Sequence, residues 1–260
     1  MTPENVIDNI KARKFSRTRP NLEPTRTEDG DFYFKGVEYL DSPENHQRNL
    51  ELLPRDWYYR DNKVYYNVNS LGYRAKEFDA IDWNNSIVVF GCSNVYGVGL
   101  EERYTISSLI EAETGIPTVN MGIAGGSVYR NYNDSLLLAE KGFTPKAVAF
   151  VWSDWARATI YEKNRVNNIG SWSRNGNNTF GDLWCKDKTN ANAHVLFTAM
   201  AARKVWQPVT KYAEASFFNR TAQLLNCPMI LMVDKGRDEM HPGIESAKIA
   251  AKILLRELNL

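Results

Sequence analysis

"SIVVFGCSNVYGVGL", residues 86–100, is the stretch on which the reading of this chain turns. Its first half is an unbroken apolar run, the pattern of a strand buried on both faces. Its second half is small, polar and turn-forming, and Ser93 stands where the strand surfaces. A phosphate-cradling loop, a nucleophile turn and an ordinary strand-to-helix connection all begin this way. The phosphate loop is disfavoured: Gly91, Gly97 and Gly99 do not have its spacing, and no lysine follows.

Downstream of this stretch, strands alternate with helices. "PTVNMG" (117–122), "KAVAFVW" (146–152) and "PMILMVD" (228–234) are expected strands. "TISSLIEAETG" (105–115), "VYRNYNDSLLLAEKG" (128–142) and "IESAKIAAKILLREL" (244–258) are expected helices. A further helical region is expected from about His194 to Leu225, broken near Pro208. Repeated strand–helix units imply a parallel sheet covered by helices on both faces. Ligands of such sheets bind beyond the carboxyl ends of the strands. The strand-end residues to watch are therefore Ser93, Gly122 to Ser127, Ser153 with Asp154, and Asp238 to His241.

Residues 157–193 break the alternation and read as a loop insertion rich in Asn, Gly and Trp, a kind of segment that is usually functional or disordered. Residues 1–80 read as an N-terminal arm packed on a main domain of residues 81–260. The arm is expected to open with a helix capped by Thr2, with Val6, Ile7 and Ile10 on one face. A basic, proline-broken tail follows, then short strands in "DFYFKGVEYL" (31–40) and "KVYYNVNSLGYR" (63–74).

Composition narrows the functional classes. The chain has 260 residues, 43% hydrophobic and 24% charged, which suits a soluble globular protein with a sizeable core. A net charge of +1 gives no general attraction to nucleic acid or acidic membranes. No apolar run approaches the ~20 residues that cross a bilayer. "MTPENVIDNIKARKF" lacks a signal-peptide core, so a cytoplasmic location is expected. Cys92, Cys185 and Cys227 are far apart, as are His46, His194 and His241, so neither a metal site nor a cofactor is expected.

Nucleophilic catalysis by serine needs a base, most often histidine, oriented by a carboxylate. "DEMHPG" (238–243) supplies both: Asp238 and His241 stand three residues apart, ahead of the last helix. In order and strand-end placement, the chain resembles the SGNH (GDSL-type) hydrolases, an esterase superfamily with a flavodoxin-like three-layer α/β/α sandwich. The family's serine block matches "GCSNVYGVG", its second block matches "NMGIAGGS" and its Asp-x-x-His block matches "DEMHPG". "NSLGYRAKEF" is similar to an element ahead of the serine block in polysaccharide-acetylation and phage-encoded relatives.

The resemblance covers about residues 67–260 and implies Ser93 as nucleophile, Asp238 and His241 as its partners, and Gly125 as an oxyanion donor through its N–H, with the Ser93 N–H expected beside it. Two positions depart from the family: Ser153 stands where it has an asparagine, as a possible third oxyanion donor, and Cys92 replaces its aspartate. Strand alternation turns Cys92 away from Ser93 and into the core.

The expected activity is removal of O-acetyl or other short acyl groups from a carbohydrate. Trp155, Trp172 and Trp184 are candidate sugar-stacking residues, and the expected partner is a polysaccharide or small-molecule ester, with no nucleic acid or membrane. Acyl transfer by the same triad remains open, as does a catalytically weak glycan-binding or structural role. The phage-type resemblance adds a virion association to the possible locations.

Overall fold

The computed structural model describes residues 24–27, 31–34, 40–162, 165–170 and 179–260. The expected N-terminal helix at Thr2–Ile10, the basic tail up to residue 23 and Trp172 lie outside them. In chain order the strands are β1 (Pro24–Arg26), β2 (Phe32–Phe34), β3 (Ile87–Gly91), β4 (Thr118–Gly122), β5 (Ala147–Trp152), β6 (Ala158–Glu162), β7 (Arg165–Ile169) and β8 (Lys211–Ser216). The α-helices are α1 (Pro43–Leu52), α2 (Ser93–Tyr96), α3 (Ile106–Thr114), α4 (Val128–Glu140), α5 (Thr179–Lys186), α6 (Lys188–Trp206), α7 (Asn219–Leu225) and α8 (Ile244–Leu258).

The centre of the molecule is a four-stranded parallel sheet in the order β4-β3-β5-β8. Period-two alternation divides its side chains between two apolar layers. Ile87, Val89, Ala147, Ala149 and Val151 face one layer, with Ile106 and Ile110 of α3 and Ala250, Leu254 and Leu258 of α8. Val88, Phe90, Val148, Phe150 and Trp152 face the other, with Leu138 of α4 and Val195, Ala199 and Trp206 of α6. The molecule is thus an α/β/α sandwich, as the continuous apolar strands require. From β3 the chain moves outward to β4 and then returns past β3 to β5. The carboxyl ends of β3 and β5 therefore flank the switch point where ligands of such sheets bind.

Three expectations about local structure are corrected. "PMILMVD" is not the fourth strand; that place is taken by Lys211–Ser216, inside the region expected to be helical. The segment makes one bridge to β8, at Met229, after which Ser246 Oγ accepts from the N–H groups of Val233 and Asp234 and draws it off the sheet. Leu231, Met232 and Val233 are left exposed. "KYAEAS" was unreadable as a buried strand because of its charges, yet Glu214 is accommodated by Arg203, Tyr212 and Trp152 Nε1.

In "KVYYNVN" the buried Val64 and Tyr66 alternate with exposed Tyr65 like a strand. Its backbone, however, pairs with the Asp31 carboxylate and the Phe32 N–H rather than in a ladder. Finally, the insertion at 157–193 is not devoid of structure: β6 and β7 form an antiparallel hairpin, and α5 and the start of α6 follow.

The serine-bearing helix α2 lies against β4. Asn120 Nδ2 donates to Val95 O at 2.8 Å. A Cβ on Gly122 would lie 2.2 Å from Tyr96 N and 2.7 Å from Tyr96 Cα. Backbone cannot yield as a side-chain tip can, so only glycine permits this approach. The Gly122→Ala variant is expected to lose about 1–3 kcal/mol of stability, measured by urea unfolding, with displacement of α2 from the sheet.

Candidate active site

Ser93 opens α2 directly after β3, preceded by Cys92 in extended conformation. Cys92 is fully buried, whereas Ser93 keeps 4% exposure. Among the described residues, Ser93 Oγ makes no hydrogen bond, and the N–H groups of Ser93 and Gly125 donate to no protein acceptor. Gly125 sits at φ 75° in the turn after β4, closed by the Gly126 N–H on Ile123 O at 2.9 Å. That left-handed conformation suits glycine. Two unused backbone donors thus stand at neighbouring strand ends, the kind of group that oxyanion binding requires.

The turn that carries Ser93 is held from below by Arg74, which is buried. Its Nη1 donates to Gly97 O at 2.8 Å and Tyr96 O at 3.3 Å. Its Nη2 donates to Leu100 O at 2.9 Å and Tyr65 O at 2.8 Å, and its Nε pairs with Glu102 at 2.5 Å. Arg74 ends the "NSLGYR" element. Asn69 Oδ1 of that element accepts from the N–H groups of Leu71 and Tyr73, both at 3.0 Å, which folds the segment and presents the arginine.

Asp238 and His241 are brought together. Asp238 Oδ2 lies 2.5 Å from His241 Nδ1, and Oδ1 accepts from His241 N at 3.0 Å and Met240 N at 3.2 Å. Glu239 adopts φ 58°, the backward turn that aims both N–H groups at that oxygen. Burial alone would oppose ionisation of Asp238. The charge and hydrogen bonds of His241, with the N–H of Met240, outweigh it and hold the carboxyl below its usual range.

The loop closes on itself. Gly236 N–H donates to His241 O at 2.9 Å and Gly243 N–H to Asp234 O at 3.0 Å. The Asp234 carboxylate accepts from Glu245 N at 2.9 Å and Ser246 N at 2.7 Å at the start of α8.

This loop rests on the serine turn. Arg237 N–H donates to Gly99 O at 3.0 Å, and a Cβ on Gly99 would lie 3.2 Å from both Asp238 N and Asp238 Oδ1. The serine turn and the acid–imidazole pair, 145 residues apart in sequence at Ser93 and Asp238, therefore belong to one packed unit.

Other expected site residues fall as follows. Ser153 follows β5 and is wholly buried, with its Oγ unpartnered. Asn131 of α4 is also buried, and both its amide atoms lack partners. Trp155 is half-buried with the Arg220 guanidinium 4.2 Å over its ring, and its N–H donates to Thr221 Oγ1. Trp184 meets His194 edge-on at 5.4 Å, and His194 lies 5.5 Å from Tyr129. Tyr129 is in the first turn of α4, whose cap is Ser127, two residues beyond Gly125. Trp184 is thus connected through two ring contacts to the first turn of α4, the helix after the Gly125 turn, and Trp155 has a separate environment beside α7.

Sequence reasoning missed Tyr129, His194 and Arg237. Arg237 adjoins the Asp-x-x-His block, but its counter-ions Asp31 and Asp41 lie in the arm, too distant in sequence to be paired with it. Among the described residues no group of three or more His, Cys, Asp or Glu is arranged for a metal ion.

No family model and no curated protein matches the chain. Several solved structures do. One is a member of the lipolytic protein G-D-S-L family from Veillonella parvula DSM 2008, with 14% identity and TM-score 0.42, covering 66% of this chain and 96% of that one. An acetyl xylan esterase from the rumen bacterium Butyrivibrio proteoclasticus has 10% identity and TM-score 0.43, covering 69% of this chain and 65% of that one. An acetylxylan esterase from Geobacillus stearothermophilus has 15% identity and TM-score 0.41, covering 69% and 96%.

The depressed Asp238 carboxyl has a signed consequence for stability. Its folded pKa lies below the unfolded value of about 3.9, so its contribution is complete above that value and is lost as pH falls through the folded pKa. Unfolding free energy measured from pH 6 downward should therefore drop on the acid side, and Asp238→Asn should flatten that drop. An identical acid limb in the variant would contradict this assignment.

Proposed function

We propose that the protein is a serine ester hydrolase working through an acyl-serine intermediate, with short acyl esters of carbohydrates as substrates. The observation that carries the reading is the pair of buried Asp238 and half-buried His241, packed on the serine turn by the contacts of Gly99. The resemblance of the three sequence blocks to SGNH hydrolases supports it.

Each group has a role set by its surroundings. Asp238 is ionised and accepts the Nδ1–H of His241, which leaves Nε2 as the basic nitrogen. His241 takes the proton of Ser93 Oγ as that oxygen attacks the ester carbonyl. The carbonyl π electrons move to oxygen, and the anion is received by the unused N–H groups of Ser93 and Gly125. Collapse expels the alcohol, which leaves with the proton from the imidazolium. Water then attacks the acyl-serine with His241 again as base, releasing the acid and restoring Ser93.

The absence of a hydrogen bond on Ser93 Oγ is compatible with this sequence, since such contacts tighten when substrate binds. Ser153, sealed with an unpartnered hydroxyl, reaches the oxyanion only if its surroundings shift. We therefore assign the hole to the two backbone donors.

Carbohydrate as the alcohol is favoured by Tyr129, His194 and Trp184. Their contiguous half-buried rings near the oxyanion turn offer apolar faces to the C–H surfaces of a sugar.

A fluorophosphonate probe should label wild-type protein, with peptide mapping placing the adduct on Ser93. Ser93→Ala should abolish both labelling and turnover of p-nitrophenyl acetate. Asp238→Asn should lower kcat by about 10⁴, the scale seen when a triad imidazole loses its orienting carboxylate. Undiminished hydrolysis by Ser93→Ala would refute the acyl-serine mechanism. Acetate release from acetylated polysaccharides, impaired by Trp184→Ala more than p-nitrophenyl acetate turnover, tests the carbohydrate assignment.

A further inference from the structure

The N-terminal arm does more than cover the sheet. Arg237, wholly buried, sits beside Asp238, and among the described residues its acidic partners both come from the arm. Its Nε and Nη2 lie 2.8 and 2.9 Å from the two Asp41 carboxylate oxygens, and its Nη1 lies 2.8 Å from Asp31 Oδ1. Nη2 also reaches Phe32 O at 2.5 Å, and the guanidinium lies 4.1 Å from the Tyr33 ring centroid.

The main chain on either side of the same point is held as well. Asn49 Nδ2 donates to Arg237 O and Asn45 Nδ2 to Asp238 O, each at 3.0 Å. Both amides project from α1, inside the arm. The other end of the network reaches the serine side. The Tyr66 hydroxyl donates to Asp41 Oδ2 and accepts the Gly99 N–H at 2.7 Å.

We propose that Asp41, Asn45, Asn49 and Tyr66 act as a positioning clamp that fixes the His241 loop relative to the Ser93 turn. Asp41 is the junction: one carboxylate oxygen serves both Arg237, in the loop, and Tyr66, which holds the turn at Gly99. Gly99 receives the network from two directions, through its N–H to Tyr66 and its carbonyl from the Arg237 N–H. These residues touch no reacting atom and act only through the His241 loop and the serine turn. The proposal rests on the acyl-serine reading for its kinetic consequence and stands on the hydrogen-bond network for its structural one.

Tyr66→Phe removes the bridge from Asp41 to Gly99 while leaving the Arg237–Asp41 pair intact. Asn49→Ala removes a single hold on the Arg237 carbonyl. Both should melt cooperatively, yet react with a fluorophosphonate about ten- to a hundred-fold more slowly than wild type, the scale of a misplaced catalytic group. For p-nitrophenyl acetate the loss should fall on kcat, with KM within about two-fold. The double variant should lose less than the product of the single losses, because the two contacts share one device.

Reaction rates within two-fold of wild type in both folded variants would overturn the clamp. If Tyr66→Phe does not fold, Asn49→Ala decides on the same criterion. Wild-type protein inert to the probe would defeat the esterase reading instead. In that case the His241 Nδ1–H proton resonance decides the clamp: a shift or faster exchange in the variants supports it, and an unchanged signal overturns it.

Discussion

A guanidinium cannot be neutralised by losing its proton inside a protein, so a buried arginine must bring its counter-charges with it. This chain buries Arg74, Arg130 and Arg237 almost completely, and the answer at each governs a part of the fold. Arg74 is met chiefly by carbonyls of the serine turn, with Glu102 at its edge. Arg130 is met by Asp134, one helical turn away, and by the Tyr73 hydroxyl. Among the described residues, the acidic partners of Arg237 are Asp31 and Asp41, both from the arm. Burial of that one charge obliges the arm to dock where the acid–imidazole pair lies.

Arg74 and Arg237 explain how a candidate site built on loops can be rigid. Sheet and helices satisfy their own backbone groups, but the turns at the strand ends leave carbonyls without ladder partners. Arg74 gathers those of Tyr96, Gly97 and Leu100. Arg237 does the same for Phe32, while its own carbonyl is taken by Asn49. Among the described residues, the N–H groups of Ser93 and Gly125 are left without an acceptor here, as a pair meant for an oxyanion would be.

What could be read in the sequence was what local pattern controls. The strand Ile87–Gly91 announced itself because both faces had to be apolar, and Asp238 with His241 because their spacing is short. "KYAEAS" was hidden because its charges are satisfied by Arg203 and Trp152, contributed from other elements. "PMILMVD" misled in the opposite sense, since its apolar run is drawn off the sheet by a hydrogen bond to Ser246. Helix α1 was missed in "PENHQRNLEL", where asparagines rather than apolar side chains form the buried face. Those asparagines are buried to bond the Arg237 and Asp238 carbonyls, a reason invisible without the contact across the chain.

The loop closed by Asp234 has a mechanical consequence. Both of its ends are tied at one residue: the Asp234 carbonyl holds Gly243, and its carboxylate holds the first turn of α8. That knot therefore fixes where α8 leaves the loop, and with it the path of the chain past the imidazole. Ala250, Leu254 and Leu258 anchor that helix in the core, so the ring takes its bearing from a packed element.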